Sequence, residues 1–202
     1  MRFTERQIRN VMFIIAGLYR RQRLMSPKGD QTRPTSSRLR EALFNICQQT
    51  IEGARFLDIF AGSGAMGLEA LSRGAQSATF IEAHQEAIHC MERNIAHLKV
   101  QSQCRVLKGE AFAMLQLLER QGKSFDMIYA DPPYRTLAPR SSLFYSAEII
   151  QWIDSHALLV PGGFLFIEEE FSSQPYLDQL RTLTLINTRR MGHAALQQYK
   201  KT

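Results

Sequence analysis

Two short stretches of the 202-residue chain hold residue types from which a reactive site can be built. The first reads Leu57-Asp58-Ile59-Phe60-Ala61-Gly62-Ser63-Gly64-Ala65-Met66-Gly67. An apolar strand runs into glycines and then into a helix, so backbone can approach a ligand closely and the helix N-terminus offers N–H groups. Gly62, Gly64 and Gly67 spell G-x-G-x-x-G, the fingerprint of adenosine-containing cofactors. Glu82 ends the next strand, 20 residues past Gly62, where a carboxylate can accept hydrogen bonds from ribose hydroxyls. This half of the pattern leaves NAD and S-adenosylmethionine both open. A tight strand–helix turn that binds nothing would look the same. The Lys-Ser/Thr of a P-loop is missing.

The second stretch is the apolar run Phe125 to Ala130 followed by Asp131-Pro132-Pro133-Tyr134. Side chains at the carboxyl end of a strand in an open sheet face the ligand crevice. Two prolines fix the backbone and remove two N–H donors, which leaves an acceptor-rich mouth of the Asp131 carboxylate and the Pro132 carbonyl. Tyr134 adds a flat face. Such a set suits a planar ring with an exocyclic amine, whose hydrogens need acceptors while the ring stacks. That chemistry favours S-adenosylmethionine over NAD, since a hydride-transfer enzyme leaves Asp131 to Tyr134 without a role. The bland alternative is a rigid Pro-Pro turn with an Asp cap.

Alternating strands and helices must position these two turns. Strands are expected at Arg55–Phe60, Ala78–Glu82, Arg105–Lys108, Phe125–Ala130 and Gly163–Ile167, the last after a Pro161-Gly162-Gly163 turn. Helices are expected at Met66–Arg73, His84–Leu98, Ala111–Gln121 and Phe144–His156, and a closing hairpin at Thr182–Thr188 and Ala194–Tyr199. This rhythm implies a parallel sheet covered on both faces. Ahead of it, Met12 to Leu24 reads as two short strands around Gly17, and a helix starts near Thr35 or Ser36 and stops by Gly53. Leu39, Ala42, Leu43, Ile46 and Cys47 share one face of that helix, with Arg38 and Arg40 on the other. Glu168-Glu169-Glu170 reads as a solvated strand end and Trp152 as packing.

Charge is unevenly spread. Residues 1–50 hold 10 Lys and Arg against 3 Asp and Glu, a net +7, whereas residues 51–202 hold 15 against 16, a net −1. A basic arm on a near-neutral body points to a polyanion, most simply nucleic acid, against the alternative of a solvated terminus that aids solubility. Arg2, Arg6 and Arg9 before the apolar run Val11–Leu18 imitate a signal peptide, but Arg20 and Arg21 follow where a cleavage site would need small residues. Cys47, Cys90 and Cys104 form no C-x-x-C pair, and the five histidines show no ligand spacing. A cytoplasmic chain without metal or membrane partner is expected, and a monomer.

With the glycine loop and D-P-P-Y in place, further stretches make the resemblance specific. Gly17-Leu18-Tyr19-Arg20-Arg21-Gln22-Arg23-Leu24, then Arg33-Pro34-Thr35-Ser36-Ser37-Arg38-Leu39-Arg40-Glu41-Ala42-Leu43-Phe44-Asn45, and Gly67-Leu68-Glu69-Ala70-Leu71-Ser72-Arg73 resemble the bacterial RsmD-type methyltransferases. The similarity runs from about Ile14 to Tyr199. It implies a Rossmann-like α/β fold with a seven-stranded, mostly parallel sheet. It also implies a basic N-terminal extension with a β-hairpin over residues 1–34 and a methyltransferase domain over 35–202. The implied activity is transfer of a methyl group from S-adenosylmethionine to the N2 amine of a guanine in 16S ribosomal RNA, within the small subunit or its assembly intermediate. Asp131, Pro132, Pro133 and Tyr134 would be catalytic. Asp58, Phe60, Ala61, Gly62, Ser63, Gly64, Glu82, Ala83, Glu110, Ala111 and Asp131 would hold the cofactor. Arg20, Arg21, Arg23, Arg33, Thr35 and Arg38, with Lys28, would meet RNA. Where the family reads R-G-R-x-L this chain has Arg20-Arg21-Gln22-Arg23-Leu24, which predicts a turn of different shape. Arg190-Met191-Gly192-His193 replaces a common Tyr-Gly pair, a change expected to matter little. The alternative activity is an adenine-N6 DNA methyltransferase, which also uses D-P-P-Y; the chain's small size and lack of a recognition domain speak against it.

Overall fold

The computed structural model describes residues 12–27, 37–132, 145–171 and 179–202. The N-terminal hairpin pairs β1 (Met12–Phe13) with β2 (Arg23–Leu24) antiparallel. Helix α1 (Ser37–Ile46) follows, ending before Gly53 in a turn where Thr50 and Ile51 donate to the Cys47 carbonyl. Then come β3 (Arg55–Ile59), α2 (Ala65–Ser72), β4 (Ser77–Glu82), α3 (Gln85–Leu98), β5 (Cys104–Lys108) and α4 (Ala111–Arg120). The chain continues through β6 (Phe125–Ala130), α5 (Tyr145–Ser155), β7 (Leu159–Glu170), β8 (Leu183–Met191) and β9 (Ala194–Lys201).

The large sheet has seven strands in the order β5-β4-β3-β6-β7-β9-β8, parallel except where β9 meets β7 and β8. From β3 the chain winds outward to β4 and β5, then returns to build β6 and β7 on the other side. The order therefore reverses between β3 and β6, and their carboxyl ends frame a crevice, the place where open sheets of this kind bind ligands.

Two apolar layers cover the sheet. On one face the hairpin, α1, α2 and α3 pack Met12, Ile14, Leu24, Leu43, Phe44 and Met91 against Phe56, Phe80, Tyr129 and Phe166. On the other, α4 and α5 pack Leu115, Leu118, Ile149 and Ile153 against Leu57, Ile128 and Leu165. Strand residues thus split by parity between the two layers, as pleating requires. Among the described residues no helix is long and apolar enough to cross a membrane, and the three cysteines are free thiols.

Three expectations need correction. The Pro161-Gly162-Gly163 segment is not a turn before the strand but a bulge within it: Leu159 pairs with Phe125 and Phe164 with Met127. Gly163 is tightly packed, since a Cβ there would lie 2.9 Å from the Asp126 carbonyl oxygen. Arg40 is not on an exposed helix face; it is fully buried because the hairpin covers that side of α1. Glu168 and Glu169 are buried rather than solvated, since β7 is flanked by β6 and β9.

Candidate active site

The crevice is a cavity of about 500 Å³ at the carboxyl ends of β3, β4 and β6. Its floor is the glycine loop. Phe60 turns the chain out of β3 with φ +64, and Gly62 (+55) and Gly64 (+79) continue the left-handed path that lets the loop fold under a ligand. Gly67 serves another purpose: a Cβ there would meet the Phe80 ring at 2.3 Å, so only glycine lets α2 lie this close to β4.

Asp58 and Glu82 hold the loop from below. Asp58 accepts the Gly67 N–H (3.1 Å) and is almost fully buried, with its Oδ1 unpartnered. Burial pushes its carboxyl up to about 7; the Gly67 N–H works against that and the charge of Glu82 adds to it. Glu82 accepts three backbone N–H groups, from Gly62 at 2.7 Å and from Ala83 and His84 at 2.8 Å each. The carboxylate expected to meet a ribose therefore also ties the glycine loop to the end of β4.

Asp58, Phe60, Ala61, Gly62, Ser63 and Glu82 all line the cavity. So do Ala83, Glu110, Ala111, Asp131 and Pro132. Gly64 does not; it is the left-handed residue before α2, where an added Cβ would meet the Met91 side chain at 2.8 Å. Pro133 and Tyr134 lie outside the described residues, as do Lys28, Arg33 and Thr35. Arg20, Arg21, Arg23 and Arg38 are exposed, the first three on the hairpin and the last on α1, and none lines the cavity.

Sequence reasoning missed part of the wall. Tyr145, at the start of α5, makes an edge contact with Phe60 (centroids 5.5 Å apart) and also meets Phe112, giving an aromatic side beside Glu110. Tyr129 lines the cavity and donates its hydroxyl to Glu168, 2.8 Å away. Met12, Ser26 and Leu39 close it from the hairpin side, and Met191 and His193 from the β8–β9 turn. The segment expected to matter little thus reaches the site. Alternation within β6 could have flagged Tyr129, which shares a face with Asp131; nothing local could have flagged the others.

One buried side chain joins hairpin and loop. Asn94 of α3 donates to the Ser63 carbonyl (2.9 Å) and the Met25 carbonyl (3.0 Å), and accepts the Met25 N–H (2.8 Å). The hairpin is further pinned along α2. Glu69 accepts the N–H groups of Ile15 and Ala16, Ser72 those of Leu18 and Tyr19, and the Arg40 guanidinium donates to the Phe13 carbonyl. Arg21 adopts φ +66, a left-handed backbone that ordinarily favours glycine.

The chemistry of the cavity selects its cofactor. Asp58, Glu82, Glu110, Asp131 and Glu168 are all on its wall, with no Lys or Arg among the described residues that line it. A dinucleotide's pyrophosphate would meet this acidity unfavourably, whereas a sulfonium, an ammonium and hydroxyl donors find acceptors. The buried Asp58 Oδ1 and Ser26 Oγ, both unpartnered, belong to residues of this wall and await donors. Strand order and acidic crevice together define the class: an S-adenosylmethionine-dependent methyltransferase.

Comparison with known proteins narrows the class. The chain belongs to the RsmD/YhhF family, whose model, described as conserved hypothetical protein 95, matches residues 12–200. It is 36% identical over 157 residues to ribosomal RNA small subunit methyltransferase D of Escherichia coli K12, covering 78% of this chain and 74% of that one. The solved structure of the putative methyltransferase yhhF from Escherichia coli superposes with a TM-score of 0.78 at 33% identity, covering 95% and 98% of the two chains. The putative methyltransferase SMU.776, complexed with SAH, shares the fold at 12% identity, with a TM-score of 0.64 over 80% of this chain and 49% of that one.

Proposed function

We propose that this chain methylates the exocyclic N2 amine of a guanine in 16S ribosomal RNA. The observation that carries the reading is the acid-lined crevice in which the glycine loop and the Asp131-Pro132 turn face one cavity. The likeness to ribosomal RNA small subunit methyltransferase D supports the substrate. S-adenosylmethionine, when bound, supplies a methyl group on a positively charged sulfur. Asp58, the glycine loop and Glu82 would hold its polar groups, and Phe60 and Tyr145 would flank its ring.

An exocyclic amine is a weak nucleophile because its lone pair is delocalised into the base. Asp131 and the Pro132 carbonyl take its two hydrogens, which favours a pyramidal nitrogen and fixes its direction of attack. Orientation and fixed acceptors, not a tuned base, do the catalytic work here. The proton leaves to Asp131 or water. The target base must leave its stack to enter the crevice, which costs least in a loop. Arg20, Arg21, Arg23 and Arg38, with Lys28 and Arg33, would give the phosphate contacts, and Arg33 with Thr35 would approach the target nucleotide. The protein acts in the cytoplasm, where its RNA is.

The reading is tested in cells. Small-subunit RNA from a strain lacking the gene should lack one N2-methylguanine that the parent strain carries. The wild-type gene should restore it and the Asp131→Ala gene should not. An unchanged nucleoside profile on deletion would refute the assignment.

A further inference from the structure

Strands β6 and β7 run parallel as neighbours, paired through Ala130 and Ile167, and the next residue on each is an acid, Asp131 and Glu168. Tyr129 stands opposite Phe166 in this register, so Tyr129, Asp131, Phe166 and Glu168 project from one face of the sheet. Three of these four, the tyrosine and both acids, line the same cavity. Tyr129 is buried and its phenol is held protonated, chiefly by burial and then by the charges of Asp131 and Glu168. It donates to Glu168 Oε2 at 2.8 Å. The result is a second carboxylate, fixed in direction, one strand away from the acceptors assigned to the amine.

The bases that carry exocyclic amines differ in the ring atom beside the amine. In adenine and cytosine that nitrogen is a bare acceptor. In guanine the N1 beside the N2 amine carries hydrogen. A carboxylate next to the amine-holding acceptors gains a hydrogen bond from guanine and a lone-pair clash from the other two, and buried charged acceptors discriminate strongly against an unmatched partner.

Resting on the proposed function, we infer that Glu168, oriented by Tyr129, accepts the N1–H of the target guanine and makes this a guanine site. Glu168 is then a specificity-determining residue and Tyr129 a positioning residue. A purely structural role, with Glu168 serving only to satisfy the buried phenol, would stabilise the fold without sensing the base.

The test replaces the target guanine by 2-aminopurine, which keeps the N2 amine but has a bare N1 and no O6, so the Glu168 variants separate the N1 contact from any contact to O6. Small subunits reconstituted with either base at the methylated position are assayed by single-turnover kcat/KM. Wild type should prefer guanine by about tenfold to a hundredfold, the range of one charge-assisted hydrogen bond. In Glu168→Gln the amide can donate to the bare N1, so the preference should fall at least tenfold even if overall rates drop. Tyr129→Phe should erode it severalfold while leaving the guanine reaction measurable. Equal wild-type rates on the two bases, or a preference unmoved in both variants, would overturn the inference while leaving N2 methylation standing. No methylation of the guanine subunits would instead remove the reading on which it rests. The wild-type comparison needs no variant, and equal rates there overturn the inference even if Glu168→Gln does not fold.

Discussion

Asp58 sits under the glycine loop with one oxygen on the Gly67 N–H and the other without a protein partner. Burial raises its carboxyl from 3.8 to about 7, which makes a prediction with a definite sign. Below about pH 4 the folded and unfolded chains both hold the proton. As pH rises towards 7 the unfolded chain releases it and the folded one does not, so stability falls across that window and the cost is constant above it. Asp58→Asn removes this dependence and can still accept from Gly67. Its melting temperature should match wild type near pH 4, pull ahead between pH 4 and 7, and keep a fixed lead at pH 8. Melts at four pH values read this directly; a gap independent of pH would contradict it. The variant should also bind S-adenosylhomocysteine more weakly, a stability gained at the site's expense.

The elements explain what could be read from the sequence and what could not. The strands and helices between Arg55 and Ser155 were legible because their apolar residues recur with the period of each element, and G-x-G-x-x-G and Asp131-Pro132 mark strand ends in any open sheet. The burial of Arg40 was not legible, since it depends on a hairpin about 27 residues away whose Phe13 carbonyl it meets. Glu168 looked solvated because a strand's end does not reveal that neighbours flank it on both sides. Asn94 carries no local signal for its role, since it bonds to Ser63 and Met25 at once. Each miss is a contact between elements distant in sequence.

The docking of the hairpin is testable at this scale. Gly17 has φ +83, and a Cβ there would lie 1.7 Å from the Ser72 carbonyl oxygen. Gly17→Ala must therefore pay for left-handed backbone and push the turn away from α2. It should cost roughly 2–4 kcal/mol, read as a lower urea midpoint, with faster proteolysis between Ala16 and Arg23. Unchanged stability would show that the hairpin does not rest on α2. Glu69 makes the same point from the other side: it holds the Ile15 and Ala16 amides and lies 3.9 Å from the buried Arg40 guanidinium. Removing it leaves an uncompensated buried charge, a loss of about 3–5 kcal/mol.

Residues 1–50 carry a net +7, with Arg20, Arg21 and Arg23 exposed on the hairpin, whereas the crevice beside it is lined by acids and, among the described residues, by no Lys or Arg. On the proposed function, the hairpin arginines draw phosphates and the crevice takes a cationic cofactor and an amine. RNA affinity should then fall steeply with salt. Replacing Arg20, Arg21 and Arg23 by Ala should lower the slope of log K against log salt by about two to three, with little effect on S-adenosylhomocysteine affinity. Filter binding at four salt concentrations measures the slope; an unchanged slope would place the RNA elsewhere.

The central claim is that this molecule moves a methyl group onto a guanine amine of small-subunit RNA. Purified protein, labelled S-adenosylmethionine and small subunits from cells lacking the activity test it most directly, with DNA and the Asp131→Ala protein alongside. Label recovered as N2-methylguanine from 16S RNA, and lost with Asp131→Ala, is the result expected. Label in DNA alone would make the chain an adenine methyltransferase, and label in RNA at any position other than guanine N2 would contradict the reading of the Asp131-Pro132 turn.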